Sequence, residues 1–457
     1  MSNTMTAKAE AIDRASGPRG TLLVGVAPRM RSNPLQFVTH VAKEFGHIAR
    51  LDLGTGNLFM LNHPDLVQYV LHDNAANYRK SRFYEKLSPF FGRGLITSNG
   101  PTWRRQRHVS QPAFSGPNLK AMTADIVAVC DEMLCRWQAV RGPQDIAREM
   151  MYLTLRVALK TLFSATLSDN DVGRLHGALT TVLRVAEKRL WSVTNLPEIV
   201  PSPENRRFRG AVKVIDEIVY GIINDRRRDG EERPDLLTLL LSARDEGGQP
   251  FTDKSLRDQI SSVLIAGHES GASALTWTWC LLSRYPGVER RLRAEIADVL
   301  KGRSPTYDDL AKLTYAKMVF DETMRLYPPI WTMSREAIED DEIYGYYVPA
   351  GTAVMTCPFA MHRDTRFWQN PEGFDPERFS PGQEKERPRF SYFPFGGGDR
   401  MCIGNRFAVM EGLVIISMVT QRFGLHLVPG HTVEAEPMIS LRPRYGMVMT
   451  LHEIPCG

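Results

Sequence analysis

The sequence predicts a mainly α fold with a small β-sheet region. Apolar residues recur with a helical period through most of the chain, runs of strand type are few and short, and glycine and proline punctuate the region between Pro328 and Cys402. In chain order, Ile48 to Asp52 and Phe59 to Leu61 read as short strands. Long helical patterns follow at Leu119 to Gln138, Ile146 to Ser164, Val172 to Trp191 and Glu204 to Arg227. The next, Leu256 to Leu282, is mostly apolar: Val263, Leu264, Ile265, Leu275, Trp277 and Trp279 surround the polar island Ala266-Gly267-His268-Glu269-Ser270. Such a helix is buried, yet it carries a carboxylate and a hydroxyl near its middle. Val288 to Leu300 is a further helix, and Thr352 to Met355 a strand. Asn405 to Glu411 run on into Leu413, Val414, Ile415 and Ile416, an apolar series too long for a strand, so a helix spans Ala408 to Phe423. Met447 to His452 is the last strand.

A chain of 457 residues with 43% hydrophobic residues can bury a large core. No long Gly/Ser or Pro-rich linker, repeat or low-complexity block divides it, so residues 31–457 are expected to form a single domain behind a flexible N-terminal tail, residues 1–30. The tail has neither an 18-residue apolar run nor the apolar core of a signal peptide, which predicts no membrane span and a soluble, cytoplasmic protein. The six cysteines show no CxxC pair or zinc spacing, as expected of free thiols in a reducing compartment. A net charge of +5, spread through clusters such as Arg226-Arg227-Arg228, argues against nucleic acid as a partner.

The chemistry concentrates in Phe395 to Gly404, which sets Cys402 in a glycine-rich loop just before the last helix. A thiolate there gains from the positive helix end, and Gly396, Gly397, Gly398 and Gly404 let the backbone approach a flat macrocycle closely. Cys402 is therefore a candidate axial ligand to haem iron, although a lone cysteine is more often an inert buried thiol. The pattern Phe395-x-x-Gly398-x-Arg400-x-Cys402-x-Gly404 resembles the haem-ligand signature of the cytochrome P450 family of haem-thiolate monooxygenases, and the matches run in the family's order from about Pro34 to Leu451.

That resemblance implies the cytochrome P450 fold, haem b (iron protoporphyrin IX), and activation of O2 to hydroxylate a lipophilic small molecule. Cys402 would bind the metal. Glu322, three residues before Arg325 and so on one helix face with it, would form with Arg378 a structural ion triad. Gly267 would leave room for dioxygen, and Glu269 with Ser270 would relay protons. On the residues alone, Ser270 could equally bond back to a carbonyl one turn earlier and Glu269 reach a salt bridge. The family usually has threonine where Ser270 stands. Trp103 and Arg107, at i and i+4, together with Arg335 and Arg400, would bind haem propionates, with Phe395 and Gly404 in the loop. His362 reads as a packed structural histidine. By family position, Phe90, Leu95, Leu264, Ala266, Ile330, Trp331, Met333 and Ile439 would line an apolar pocket, which suits a terpenoid-like substrate first and a steroid or fatty acid next.

No flavin or iron-sulfur module is seen in the chain, so a ferredoxin and a ferredoxin reductase are expected as electron donors, docking near Arg104, Arg105 and Arg406. A haem-thiolate isomerase or dehydratase needing no external electrons, or a haem sensor, would share Cys402.

Overall fold

The computed structural model describes residues 15–54, 56–190, 200–244 and 247–454. The chain falls into two compact units, one formed within Met1–Glu85 and Met324–Cys402, the other within Lys86–Thr323 and Ile403–Gly457.

The first unit opens with two helices, α1 (Ala27–Ser32) and α2 (Pro34–Glu44). Asn33 caps α2 by accepting from the Gln36 N–H, and Pro34 starts it where a missing N–H costs nothing. Five strands, β1 (Ile48–Asp52), β2 (Asn57–Leu61), β3 (Tyr78–Lys80), β4 (Met333–Ala337) and β5 (Ala353–Thr356), form one sheet in the order β1-β2-β5-β4-β3. All pairings are antiparallel except β2 with β5. Strands from both ends of the unit's sequence thus meet, and Phe59, Leu61, Tyr78, Ala337 and Val354 share a core with Phe390 and Phe393. The chain is already packed at Ala15, well inside the stretch 1–30 expected as a tail: Ala15 belongs to that core and the Arg50 N–H donates to the Ser16 carbonyl.

The second unit is helical: α3 (Gly100–Ser110), α4 (Gly116–Gln138), α5 (Ile146–Phe163), α6 (Asp169–Leu190), α7 (Pro203–Asp229), α8 (Asp253–Arg284), α9 (Pro286–Leu300), α10 (Thr314–Leu326, whose last turn begins the return to the first unit) and α11 (Asn405–Arg422). The expected helix ends lie within three residues of these bounds, the end at Trp191 falling outside the described residues. The differences have local causes. Thr252, Ser202 and Asp145 cap α8, α7 and α5 ahead of their apolar patterns, and Gly230 ends α7 at φ +65°. Helix α8 packs along α5 and also meets α7, α9 and α11, which is why it is apolar on almost every face. Short strands complete the unit: β6 (Phe423–Leu427), β7 (Ala435–Pro437), β8 (Leu441–Pro443) and β9 (Val448–Glu453), with β7 and β8 forming a hairpin.

Candidate functional site

The candidate residues divide between the units. In the first, the chain before Cys402 forms a tight loop: the Gly396 N–H donates to the Phe393 carbonyl at 3.0 Å and the Cys402 N–H to the Phe395 carbonyl at 2.9 Å. Gly398 holds φ +63°, and a Cβ there would lie 1.8 Å from the Leu71 carbonyl oxygen, so only glycine fits. The result is an exposed Cys402 on a rigid loop, whereas Cys130, Cys280 and Cys357 are buried with their thiols pushed up to about 12, 11 and 12 by desolvation. Cys135, on α4, is the other exposed cysteine, so among the described residues Cys402 and Cys135 offer accessible thiols, and of these Cys402 alone sits in the glycine loop. His362 is fully buried; its Nε2 accepts from the Phe393 N–H at 3.0 Å, and burial, with Arg325 and Arg363 nearby, keeps the ring neutral. It braces the segment leading into the loop.

Strand register sets Lys80 opposite Arg335, and Arg400 follows from the loop. Burial, then the Arg335 and Arg400 guanidinium groups, push the Lys80 ammonium well below its ordinary value, and burial lowers Arg335 too. Glu336, next along β4, is occupied elsewhere by Arg79 and Arg82. Lys80, Arg335 and Arg400 thus bring positive charge together in the first unit. Nothing in the sequence singles out Lys80, where a lysine two residues after a tyrosine in YRKSRFYEK carries no signal.

Arg325 is also buried but in a different setting. It donates to the carbonyls of His362 (2.8 Å), Pro371 (2.7 Å) and Gly373 (2.9 Å) and lies over the Trp368 ring. Glu322, one turn earlier on α10, is fully buried, and half-buried Arg378 donates to the Asn370 carbonyl at 3.0 Å.

In the second unit, α8 is buried along most of its length, but Ala266, Gly267, Ser270 and Gly271 keep an accessible stripe at its middle. Spacings of one, four and five residues place them on one face. Ser270 Oγ donates to the Ala266 carbonyl at 2.7 Å. Glu269 points elsewhere: its Oε1 accepts from Ser440 Oγ at 2.5 Å and from Arg442 Nε at 2.8 Å, with an Arg442 amino group at 2.6 Å. Leu441, between them, accepts at its carbonyl from Ser273 Oγ (2.5 Å) and Trp277 Nε1 (2.9 Å). The β7–β8 turn, which carries Ile439, is thereby stitched to α8. Both local bonds that the residues alone allowed, Ser270 to the preceding turn and Glu269 to a cation, are made. Arg442 lay just past a segment read as apolar and was overlooked.

Behind the stripe, Glu411 on α11 is buried, and among the described residues it has no hydrogen bond or ion pair; a Cβ on Gly271 would lie 3.1 Å from its Oε2. Desolvation pushes this carboxyl up to about 8. His268 and His176, with ring centroids 6.5 Å apart, are pushed down to about 4, chiefly by burial.

Of the remaining candidates, Trp103 and Arg107 are half-buried on α3 and Gly404 precedes α11 as its N-cap. Leu95, Ile330, Met333 and Ile439 are half-buried. Leu264, Phe90 and Trp331 are buried, at 0%, 2% and 3% exposure, and Phe90 packs edge-on to Phe208. Arg104 and Arg406 are exposed, whereas Arg105 stacks on the Phe251 ring and donates to the Gln249 carbonyl.

An exposed thiol on a glycine loop and a cluster of cations are thus found together in the first unit. The chain belongs to the cytochrome P450 family, whose model matches residues 15–449. It is 36% identical to cyclooctatin synthase of Streptomyces melanosporofaciens, over 93% of this chain and 92% of that protein. Identity to cyclooctat-9-en-7-ol 5-monooxygenase of the same organism is 35%, over 92% and 91% of the two chains. Identity to pentalenene oxygenase of Streptomyces avermitilis is 30%, over 94% and 93%. The protein is thus a haem-dependent P450 monooxygenase, drawing on O2, redox partners and a small-molecule substrate. Among the described residues no helix is long and apolar enough to cross a membrane.

Proposed function

We propose that this monooxygenase hydroxylates a polycyclic terpenoid-like molecule in the cytoplasm, with haem b held by Cys402 and electrons delivered by a ferredoxin and its reductase. The observation that carries the substrate class is the pair of relatives at 35% and 36% identity named for cyclooctat-9-en-7-ol and cyclooctatin, joined by one named for pentalenene. The accessible stripe on α8 suits such a substrate, since Ala266, Gly267 and Gly271 offer little but backbone and small apolar surface, with Ser270 as the one hydroxyl.

Bound haem supplies oxygen activation, the thiolate pushing electron density onto iron and favouring O–O cleavage. The chain's residues do the rest. The loop closed by the Cys402 N–H holds the sulfur, and Lys80, Arg335 and Arg400, with Trp103 and Arg107, would bind the propionates. Gly267 leaves room for a diatomic molecule. The Ser270 hydroxyl, when it leaves the Ala266 carbonyl, can pass a proton to that position, and Glu269 can assist only by loosening from Arg442. Exposed Arg104 and Arg406 offer cations to an acidic ferredoxin.

Two measurements test this reading. Titration with cyclooctat-9-en-7-ol or a similar polycyclic terpenoid should shift the Soret band as iron-bound water leaves, while a steroid and a fatty acid should shift it less. Cys402→Ser should lose the thiolate-type band of the reduced carbon-monoxide complex, and an unchanged band would remove Cys402 as ligand. The engaged states of Ser270 and Glu269 also favour a second reading, an isomerase or dehydratase needing no proton relay; turnover without any reductant would establish it.

A further inference from the structure

Ahead of α1, the segment Thr21 to Gly25 forms a closed turn in the first unit. The Thr21 N–H donates to the Gly25 carbonyl at 3.0 Å and the Gly25 N–H returns to the Thr21 carbonyl at 2.9 Å. The turn is seated on the β1–β2 connection: the Val26 N–H donates to the Asp52 carbonyl at 2.7 Å. A Cβ at Gly25 would lie 1.9 Å from that same oxygen, and one at Gly54 would lie 2.4 Å from the Leu23 carbonyl oxygen. Gly25, at φ +54°, and Gly54 therefore permit a contact that no larger residue allows.

What is unusual is which atoms are buried. Gly25 and Val26 are buried, while Leu22 is fully exposed at 101%, Leu23 is 84% exposed and Val24 40%. A pinned backbone presenting two leucines outward reverses the ordinary preference of apolar side chains.

The charge around the turn is of one sign. From Ala15 to Lys43 the sequence contains Arg19, Arg29, Arg31 and Lys43 and no aspartate or glutamate. Arg19, Arg29 and Arg31 are exposed, and Arg29 donates to the Arg19 carbonyl at 3.4 Å, which keeps it beside the arm leading into the turn. The nearby carboxylate, Asp52, accepts from the Gly54 N–H at 2.8 Å.

We propose that the Leu22-Leu23-Val24 turn is a membrane-surface contact: the leucines enter the headgroup boundary of an anionic phospholipid bilayer and Arg19, Arg29 and Arg31 bind its phosphates. An apolar tip combined with a basic rim is the pairing that gives reversible interfacial binding. A second copy of this chain is a poorer occupant, because three side chains of one turn fall far short of the roughly 800 Å² per partner that a stable interface buries. The contact stands on the first unit alone and does not depend on the substrate proposed above; it would place the enzyme where lipophilic molecules concentrate.

The test is co-sedimentation of the full-length holoenzyme with vesicles of mixed phosphatidylglycerol and phosphatidylcholine, and with phosphatidylcholine alone. Binding to the anionic vesicles should be at least about tenfold stronger and should weaken as salt is raised. Leu22→Asp with Leu23→Asp should reduce binding to the neutral-vesicle level with an unchanged Soret spectrum and melting temperature. Arg29→Gln with Arg31→Gln should lose most of the preference for anionic lipid while keeping the fold. Failure of the wild type to bind anionic vesicles, or equal binding by the aspartate variant, would overturn the proposal. So would a light-scattering mass that halves in the aspartate variant without any change in vesicle binding, since the turn would then join two copies.

Discussion

Arg325 and Arg335 are both buried arginines of the first unit, ten residues apart, and they are treated in opposite ways. Arg325 gives its guanidinium to three backbone carbonyls that converge on it. Arg335 stands beside Lys80, whose ammonium is pushed well below its ordinary value by burial and then by the Arg335 and Arg400 guanidinium groups, while burial lowers Arg335 itself. The second unit repeats the contrast with carboxylates. Glu269 is paired, its Oε1 held by Ser440 and Arg442 while its Oε2 makes no hydrogen bond, whereas Glu411 is buried with no partner among the described residues. A buried charge whose neighbours satisfy it holds the fold; one that its neighbours leave strained is kept for something that arrives, or is kept neutral.

The largest expected effect tests the saturated arginine. Arg325→Ala leaves the His362, Pro371 and Gly373 carbonyls without their donor, at a cost of about 3–5 kcal/mol. The variant should express as aggregate or melt far below the wild type, and a wild-type melting temperature would erase the distinction from Arg335. Arg442→Ala should come next, at about 3 kcal/mol, because Glu269 stays buried without its counter-charge. Arg442→Ala with Glu269→Gln should recover much of the loss, which thermal denaturation of the single and double variants would reveal.

Arg335→Ala should behave in the reverse sense. Removing one of three like charges should leave the melting temperature of the haem-free protein unchanged or slightly raised, while haem affinity falls about tenfold or more. Haem content after dialysis against apomyoglobin measures it. An apo-protein as damaged as Arg325→Ala would show that Arg335 is another structural arginine.

How much of this was legible in the sequence follows the same division. Cys402, Arg325 and Glu269 stand in short segments that resemble the family's motifs and Arg335 at a position matched by that resemblance, while the long helices show in an apolar period set by one neighbour after another along the chain. Lys80 and Arg442 could not be read that way. Lys80 matters only because strand register sets it opposite Arg335, more than two hundred residues on, and Arg442 only because the β7–β8 turn folds back on α8. Residues 1–30 read as a tail because Met1 to Gly20 is polar with small residues, yet from Ala15 onward the order comes from backbone bonds and glycine contacts, which composition does not display.

The unsaturated carboxylate gives a smaller, pH-dependent signal. Glu411 has an ordinary value of 4.5 and is raised to about 8 in the fold, so the native state holds its proton where the unfolded chain has lost it. Its stabilising contribution is complete below about pH 4.5 and is lost as the pH rises through about 8. His268 and His176, lowered to about 4, act oppositely: stability falls as pH drops from 6.5 toward that value, because the unfolded chain takes up protons first. Glu411→Gln should therefore gain stability relative to the wild type as the pH rises from 6 to 8, by about 2 kcal/mol. Identical pH profiles for the two proteins would mean that Glu411 has a counter-charge after all.

Ser270 offers the finest test, because its hydroxyl is neither buried nor unmatched. It is bonded to the Ala266 carbonyl at 2.7 Å on the accessible stripe of α8. Serine lacks the methyl group that restricts threonine's rotamer, so competition between that carbonyl and a water on the stripe is decided by hydrogen bonding alone. Glu269, tied to Arg442, can do little to compensate. Proton delivery should then be imperfect and part of the reducing equivalents should emerge as peroxide. Ser270→Thr should raise the product formed per reductant consumed, by a factor of about two, corresponding to only a few tenths of a kcal/mol. Ser270→Ala should lower it while leaving substrate affinity unchanged. If all three proteins released the same peroxide, the stripe hydroxyl would have no part in proton delivery. Loosening the Glu269–Arg442 pair, with Arg442→Gln in a background that still folds, would then be the variant expected to change coupling.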